Sequence, residues 1–311
     1  MSLFDAFGLI RQDWLDVGDG HQLFLAQYGD ADGIPVLYLH GGPGAGCSLD
    51  ELALFRVKGL RIYMLDQRAA GRSKPYGCLE DNDLVNLLTD IEKVRQWAGV
   101  ARWCLLGGSF GATLGYLYSC IYPQRVLAQV LWSLFIPSAA GIDWLYGRRG
   151  VAQIFSSQYR QFVRRVDDTD QLLQQFEQDF NDQDSEIRDE AIQRWLAWEL
   201  ALAAPGMSID NVEQGRVLAR IELHYARHDY FGAYPLMQQV GALLQCPTVI
   251  LQGELDWVCP QRLVDDFLSQ FGPPLLRSRL VNSGHHTLID TRMRQAVSDA
   301  VGQMSRYIKH Q

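Results

Sequence analysis

Positive charge is in short supply in this chain. Its 28 Lys and Arg stand against 36 Asp and Glu, a formal net charge of −8 at pH 7. A surface of that sign repels nucleic acid unless a basic patch gathers somewhere. The densest basic cluster, Arg148-Arg149 with Arg160, Arg164 and Arg165 beyond it, has helical spacing and reads as a solvated face. The six cysteines, at 47, 78, 104, 120, 246 and 259, form no C-x-x-C pair, so zinc ribbons and dithiol redox motifs have no support. Cys104 and Cys246 fall in apolar, strand-like runs, as core thiols do, and this usage points to a reducing cytoplasm. Unbroken apolar runs are missing too. The most apolar stretch, Val126 to Tyr146, is interrupted by Gln129, Ser133, Pro137 and Asp143. A buried strand followed by a loop is expected there, not a membrane span. The opening MSLFDAFGLIRQDW has neither a basic start nor a long apolar segment and does not read as a signal peptide.

What is present is an alternation of short apolar runs and amphipathic stretches. Residues 21–28 and 34–40 read as strands joined by a turn at Gly29-Asp30-Ala31-Asp32-Gly33, and Leu60 to Leu65 as a third. Residues 82–98 place Leu84, Leu87, Leu88, Ile91, Val94 and Trp97 on one helical face. Trp103–Leu106 and Val126–Ser133 are further strands. From about Leu134 to Val240 helices dominate, most clearly at 168–180 and 186–203. Strands resume at Cys246–Gln252 and Leu275–Val281, and 291–308 is an amphipathic helix. The expected fold class is therefore α/β: a mostly parallel sheet covered by helices on both faces, with an inserted helical cap. Residues 1–133 and 241–311 form the core, and 134–240 the insert.

The chemistry begins at Gly107-Gly108-Ser109-Phe110-Gly111, a G-x-S-x-G sequence lying between an apolar strand and a helix-like stretch. In that context the serine sits on a sharp turn with its hydroxyl exposed. A serine needs a base, and the base needs an orienting carboxylate. Both should follow core strands, in the order Ser, acid, His. Asp256, in the acidic loop after Val249–Gly253, is the expected orienter, with Glu254 as fallback. His285, directly after Gly284, is the expected base, with His286 as the alternative. The turn Gly41-Gly42-Pro43-Gly44-Ala45-Gly46 fits no phosphate-loop spacing. It can instead offer a backbone N–H to an oxyanion, so Gly42 and Phe110 are the expected pair of donors. His40 is expected to be structural, beneath that turn.

Longer motifs extend this reading. His40-Gly41-Gly42-Pro43-Gly44, Asp66-Gln67-Arg68-Ala69-Ala70-Gly71-Arg72-Ser73, the GGSFG elbow, Gly253–Pro260 and Ser283-Gly284-His285 together resemble the proline iminopeptidase family of α/β-hydrolases over nearly the whole chain. Trp195-Leu196-Ala197-Trp198-Glu199 and Ala219-Arg220-Ile221-Glu222-Leu223-His224-Tyr225 are similar to two cap segments of that family. The resemblance implies that Glu199 and Glu222 bind the free α-ammonium group of a substrate. The implied partner is a small peptide with a free N-terminus, with neither nucleic acid nor membrane involved. The implied activity is a serine aminopeptidase preferring proline, without metal or organic cofactor. Trp132, Trp198, Tyr225 and Trp257 are candidates for an apolar pocket around a pyrrolidine ring, or for plain core. Three positions depart from the family pattern: Trp132 and Glu254 stand where it has Arg, and Ala69 where it has Gly. Less positive charge nearby should raise the pKa of one of the two glutamates. An esterase, lactonase or amidase on the same scaffold is the alternative reading.

Overall fold

A computed structural model describes residues 8–163, 166, 168–208 and 211–311. Arg164 and Arg165 of the basic cluster lie outside the described residues. Arg148, Arg149 and Arg160 are exposed, as a solvated face requires.

Eight strands form one sheet: β1 (Leu9–Gly18), β2 (His21–Gly29), β3 (Ile34–Leu39), β4 (Leu60–Leu65), β5 (Trp103–Gly108), β6 (Val126–Trp132), β7 (Thr248–Gly253) and β8 (Ser278–Val281). Their spatial order is β1-β2-β4-β3-β5-β6-β7-β8. β1 and β2 pair antiparallel, as do β2 and β4, and every later pairing is parallel. The central parallel strands are mostly apolar because helices cover both faces; all six residues of β5 are buried.

On one face lie α1 (Leu84–Trp97) and α2 (Phe110–Ile121). Asp83 caps α1 by accepting from the Asn86 N–H, and the expected stripe Leu84, Leu87, Leu88, Ile91 and Val94 is buried. On the other face α10 (Thr291–Lys309), capped by Asp290, buries Met293, Val297, Ala300 and Val301. The core is accordingly split into two clusters by the sheet.

Between β6 and β7 the chain makes α3 (Ala139–Tyr146), α4 (Ser156–Val163), α5 (Thr169–Phe180), α6 (Ser185–Ala203), α7 (Val212–Arg227) and α8 (Ala233–Val240). This is the cap. Its centre is aromatic: Phe162 stacks on Trp198 at 5.3 Å, and Trp195 packs against Tyr146 and Phe176. The remaining helix, α9 (Gln261–Phe271), joins β7 to β8.

Two elements differ from expectation. β1 carries mostly exposed side chains, so it lacks the apolar signal that marked its neighbours. β8 starts at Ser278 rather than Leu275, because Pro273-Pro274 open a turn closed by Leu276 N–H to the Pro273 carbonyl, which leaves Leu275 94% exposed.

The segment Asp66–Ser73 is a structural brace. The Asp66 carboxylate accepts from Cys47 N–H at 2.7 Å and from the Arg72 backbone and guanidinium at 2.9 Å. Arg68, buried, grips Asp90 of α1 with two bonds of 2.6 and 3.1 Å and donates to the Asp81 carbonyl. Removing one member of such a pair strands a charge in the interior. Asp90→Asn is expected to destabilise the fold by about 3 kcal/mol, read from urea unfolding at pH 7; a loss under about 1 kcal/mol would show that the pair is solvated in practice.

Candidate active site

Ser109 sits where β5 turns into α2, with φ 54° and ψ −124°. A side-chain-bearing residue with positive φ stores strain, of order 1–3 kcal/mol. The turn closes only because its neighbours lack side chains. A Cβ on Gly107 would stand 2.5 Å from the Gly111 carbonyl oxygen, and one on Gly111 2.2 Å from that of Leu39. Ser109 is partly exposed, while Phe110 behind it is buried.

The carboxylate expected at Asp256 is buried after β7 and fully engaged. Its Oδ1 accepts from the N–H groups of Val258 at 3.1 Å and Cys259 at 2.8 Å, and its Oδ2 from Gln252 Nε2 at 3.3 Å. The histidine it holds is His286, not His285: His286 Nδ1 lies 3.0 and 3.1 Å from the two Asp256 oxygens. A carboxylate can only accept here, so Nδ1 carries the proton and Nε2 is left to accept. His285 is half-buried with its Nδ1 unpartnered. The reason lies in the turn before it. Ser283 has φ 53°, and the Leu255 N–H bonds to the Gly284 carbonyl, which fixes the loop so that the second histidine faces the acid. The fallback Glu254 serves that loop, accepting from Ser283 N–H at 2.7 Å. Burial pulls the His286 pKa down, but the charge of Asp256, its hydrogen bond and Glu199 outweigh it, and the net shift is upward.

The glycine turn after β3 lies against Ser109. A Cβ on Gly41 would be 3.2 Å from Ser109 Cβ. Gly42 follows with φ 105°, a backbone shape that favours glycine. His40 is structural, as expected: Nδ1 donates to the Gly41 carbonyl at 2.9 Å and Nε2 accepts from Gln67 N–H at 3.0 Å. Burial holds its pKa below the ordinary value.

Glu199 on α6 and Glu222 on α7 come together under the cap. Glu222 is 8% exposed and accepts from Trp195 Nε1 at 2.9 Å; Glu199 accepts from the Tyr146 hydroxyl at 3.1 Å. Trp195 and Glu199 are one turn apart on α6, which is why the W-x-x-W-E spacing can serve both carboxylates. Burial pushes Glu199 up to about 7, opposed by the Tyr146 bond and by His286. Burial and then the Glu199 charge hold Glu222 well above the carboxylate range. Both glutamates rise rather than one, and burial, not the missing positive charge, is the first cause.

The aromatic candidates fare differently. Trp132 stacks on Tyr38 at 6.2 Å, and its ring crosses Gly108 so closely that a Cβ there would be 2.1 Å away. It belongs to the core cluster on the α10 side, whereas its neighbour Leu131 belongs to the cap-side cluster. Strand alternation thus turns Trp132 away from the cap carboxylates. Tyr225 is fully buried, its hydroxyl bonded to Asn82 at 3.0 Å and its ring 5.1 Å from Phe110; it backs the elbow. Trp198 donates to the Leu145 carbonyl within the cap core, and Trp257 packs edge-on against Phe155.

A family model for the alpha/beta hydrolase fold matches residues 34–291. A proline iminopeptidase of Neisseria meningitidis is 34% identical over 296 residues, covering 92% of this chain and 94% of the relative. One from Arabidopsis thaliana is 34% identical over 259 residues, covering 79% and 67%. The chain belongs to the proline iminopeptidase family of α/β-hydrolases. Like that family it is an enzyme, a serine hydrolase. In three dimensions it is similar to a proline iminopeptidase-related protein from Thermus thermophilus, with TM-score 0.60, 19% identity and coverage of 95% and 98%; at that identity the likeness concerns the fold.

Family motifs do not reveal every residue around this site. Ser133, with φ 49°, donates from Oγ to the His286 carbonyl at 3.2 Å. Gln252, a polar residue closing an apolar strand, bonds both Asp256 and the Cys259 carbonyl; its polarity there is the available signal. The Cys259 thiol is held high by burial and then by Asp256, with a Ser109 hydrogen bond opposing. Asp256, Cys259 and His286 offer three ligand atoms within 4.8 Å of one another. Even so, a protonated thiol and a carboxylate already accepting protein donors suit a hydrogen-bonded array better than a cation. Two cavities in the cap, of about 630 and 890 Å³, are lined by none of Ser109, Glu199 or Glu222. No helix among the described residues is long and apolar enough to cross a membrane.

A carboxyl whose folded pKa is raised favours the fold while protonated and loses that contribution as pH climbs through the folded value. For Glu199 the window runs from about 4.5 to about 7. Glu199→Gln is expected to stabilise the unliganded protein by about 1–3 kcal/mol at pH 8 and by little at pH 5, checked by denaturant melts at both. Equal effects at the two pH values would contradict the assignment.

Proposed function

We propose that the protein is an aminopeptidase releasing one N-terminal residue, preferably proline, from small peptides through an acyl-enzyme. The observation that carries this is the buried Glu199/Glu222 pair facing His286. Two carboxylates taken out of water need a cation or a proton. A peptide's α-ammonium bound there brings the first carbonyl, and no later one, towards Ser109.

In this reading His286 Nε2 takes the Ser109 proton as the oxygen attacks, and Asp256 steadies the imidazolium. The N–H groups of Phe110 and Gly42 hold the oxyanion. His286 then protonates the leaving amine, and water, deprotonated by the same imidazole, resolves the ester. No step calls for a metal or organic cofactor. The division of labour follows the chain: residues 1–133 and 241–311 supply the triad and oxyanion donors, and the cap, 134–240, supplies the ammonium site. A cytoplasmic setting agrees with six cysteines held as free thiols.

One observation favours the alternative of an uncharged ester, lactone or amide substrate. Burial raises both glutamates, so the empty pair resists carrying two negative charges. Glu222→Gln separates the readings. It should cost free prolyl-aminomethylcoumarin turnover about 10²-fold or more while sparing p-nitrophenyl acetate. Loss of neither would favour the alternative.

The same assay tests the base. Ser109→Ala and His286→Ala are expected to lower kcat about 10⁴-fold or more, and His285→Ala less than about tenfold. The reverse ranking of the two histidines would overturn the assignment. Because His286 is shifted upward, activity should fall as pH drops through a value above the ordinary 6.5 or so.

A further inference from the structure

The link between α7 and α8 carries a strain that no motif announces. Asp229, Tyr230, Phe231 and Gly232 have φ of 49°, 49°, 52° and 75°. Four successive residues are left-handed, and three of them bear side chains. L-residues visit this region singly, and each visit costs free energy. Local contacts hold the turn: Phe231 N–H donates to the His228 carbonyl at 2.8 Å, and the two rings stack at 5.2 Å with only 4° between their planes.

The turn drives Tyr230 inward. It is 3% exposed, with its ring 4.9 Å from Phe135 and 6.0 Å from Phe110, the residue after the nucleophile. Burial, and then the charges of Glu199 and Glu222, hold its phenol well above the ordinary tyrosine value. The ring therefore packs against the elbow within the electrostatic reach of the acid pair. A first residue whose ammonium sits at the pair and whose carbonyl sits at Ser109 must have its own side chain beside that ring. A plain packing role would not need a left-handed turn to deliver the ring.

Resting on the aminopeptidase reading above, we infer that Tyr230 is the specificity-determining residue of the site, its ring forming the wall that restricts the N-terminal residue to a small or cyclic side chain.

The test is kcat and KM for wild type, Tyr230→Phe, Tyr230→Leu and Tyr230→Ala with prolyl-, alanyl- and leucyl-aminomethylcoumarin, with p-nitrophenyl acetate on the wild type. In Tyr230→Ala the leucyl-to-prolyl ratio of kcat/KM should rise about tenfold or more, chiefly through a lower KM for the leucyl substrate. Tyr230→Phe should keep the wild-type ratio. Tyr230→Leu, which keeps most of the packing volume, should move in the same direction as Ala and carries the test if Ala fails to fold. A ratio unchanged in both smaller variants, or a uniform loss on all three amides, overturns the inference and leaves the aminopeptidase reading standing. If the wild type turns over the acetate and none of the amides, the aminopeptidase reading fails and the inference falls with it.

Discussion

Two carboxylic acids packed under one cap are the constraint around which the site is organised. Glu199 and Glu222 are drawn from different helices and accept from Tyr146 and Trp195 respectively. Those bonds do not offset the water lost, so both groups resist ionising. The cap therefore stands in a state that a bound cation would relax. The aromatic packing of Phe162, Trp195 and Trp198 supplies the rigidity that keeps the two acids from swinging out to solvent.

Strain gathers at the same place. Of the side-chain-bearing residues with positive φ, Ser109 carries the hydroxyl, Ser133 fixes the backbone of His286, Ser283 aims the histidine loop and Tyr230 packs against Phe110 of the elbow. The rest of the fold holds these shapes in place. The buried brace of Arg68 with Asp90 and the Asp66 clamp tie down the neighbouring loops, and the elbow's close turn requires glycine at 107 and 111. A site that must hold several groups to fractions of an ångström is best built on such over-determined turns.

How much of this is legible in the amino-acid sequence depends on whether a feature is local. Ser109 is legible because glycine is required at two fixed offsets from it. Asp256 is legible because it follows an apolar strand. The choice between His285 and His286 is not, since adjacent residues point oppositely and the φ of Ser283 decides between them. The choice between pocket and plain core for Trp132 is not legible for a related reason: strand alternation, with Leu131 taking the cap side, sends its ring beneath the sheet. β1 escapes notice because an edge strand with exposed side chains has no apolar period to detect. Tyr230 cannot be found at all from pattern, because a left-handed turn lacking glycine at three of its four positions has no sequence signature. The sheet, the insert and the order of the proposed serine, acid and histidine rest on periodicity and spacing; the inward-facing side chains rest on tertiary packing.

The most direct test of this account is calorimetric titration of the Ser109→Ala protein with prolinamide near pH 7, in two buffers of different ionisation enthalpy, beside N-acetylprolinamide. If the acid pair binds an ammonium group, prolinamide binding should expel the proton the empty pair holds, up to about one per site, and the acetylated ligand should bind at least about 10²-fold more weakly. Binding of both ligands with similar affinity and no proton release would contradict it.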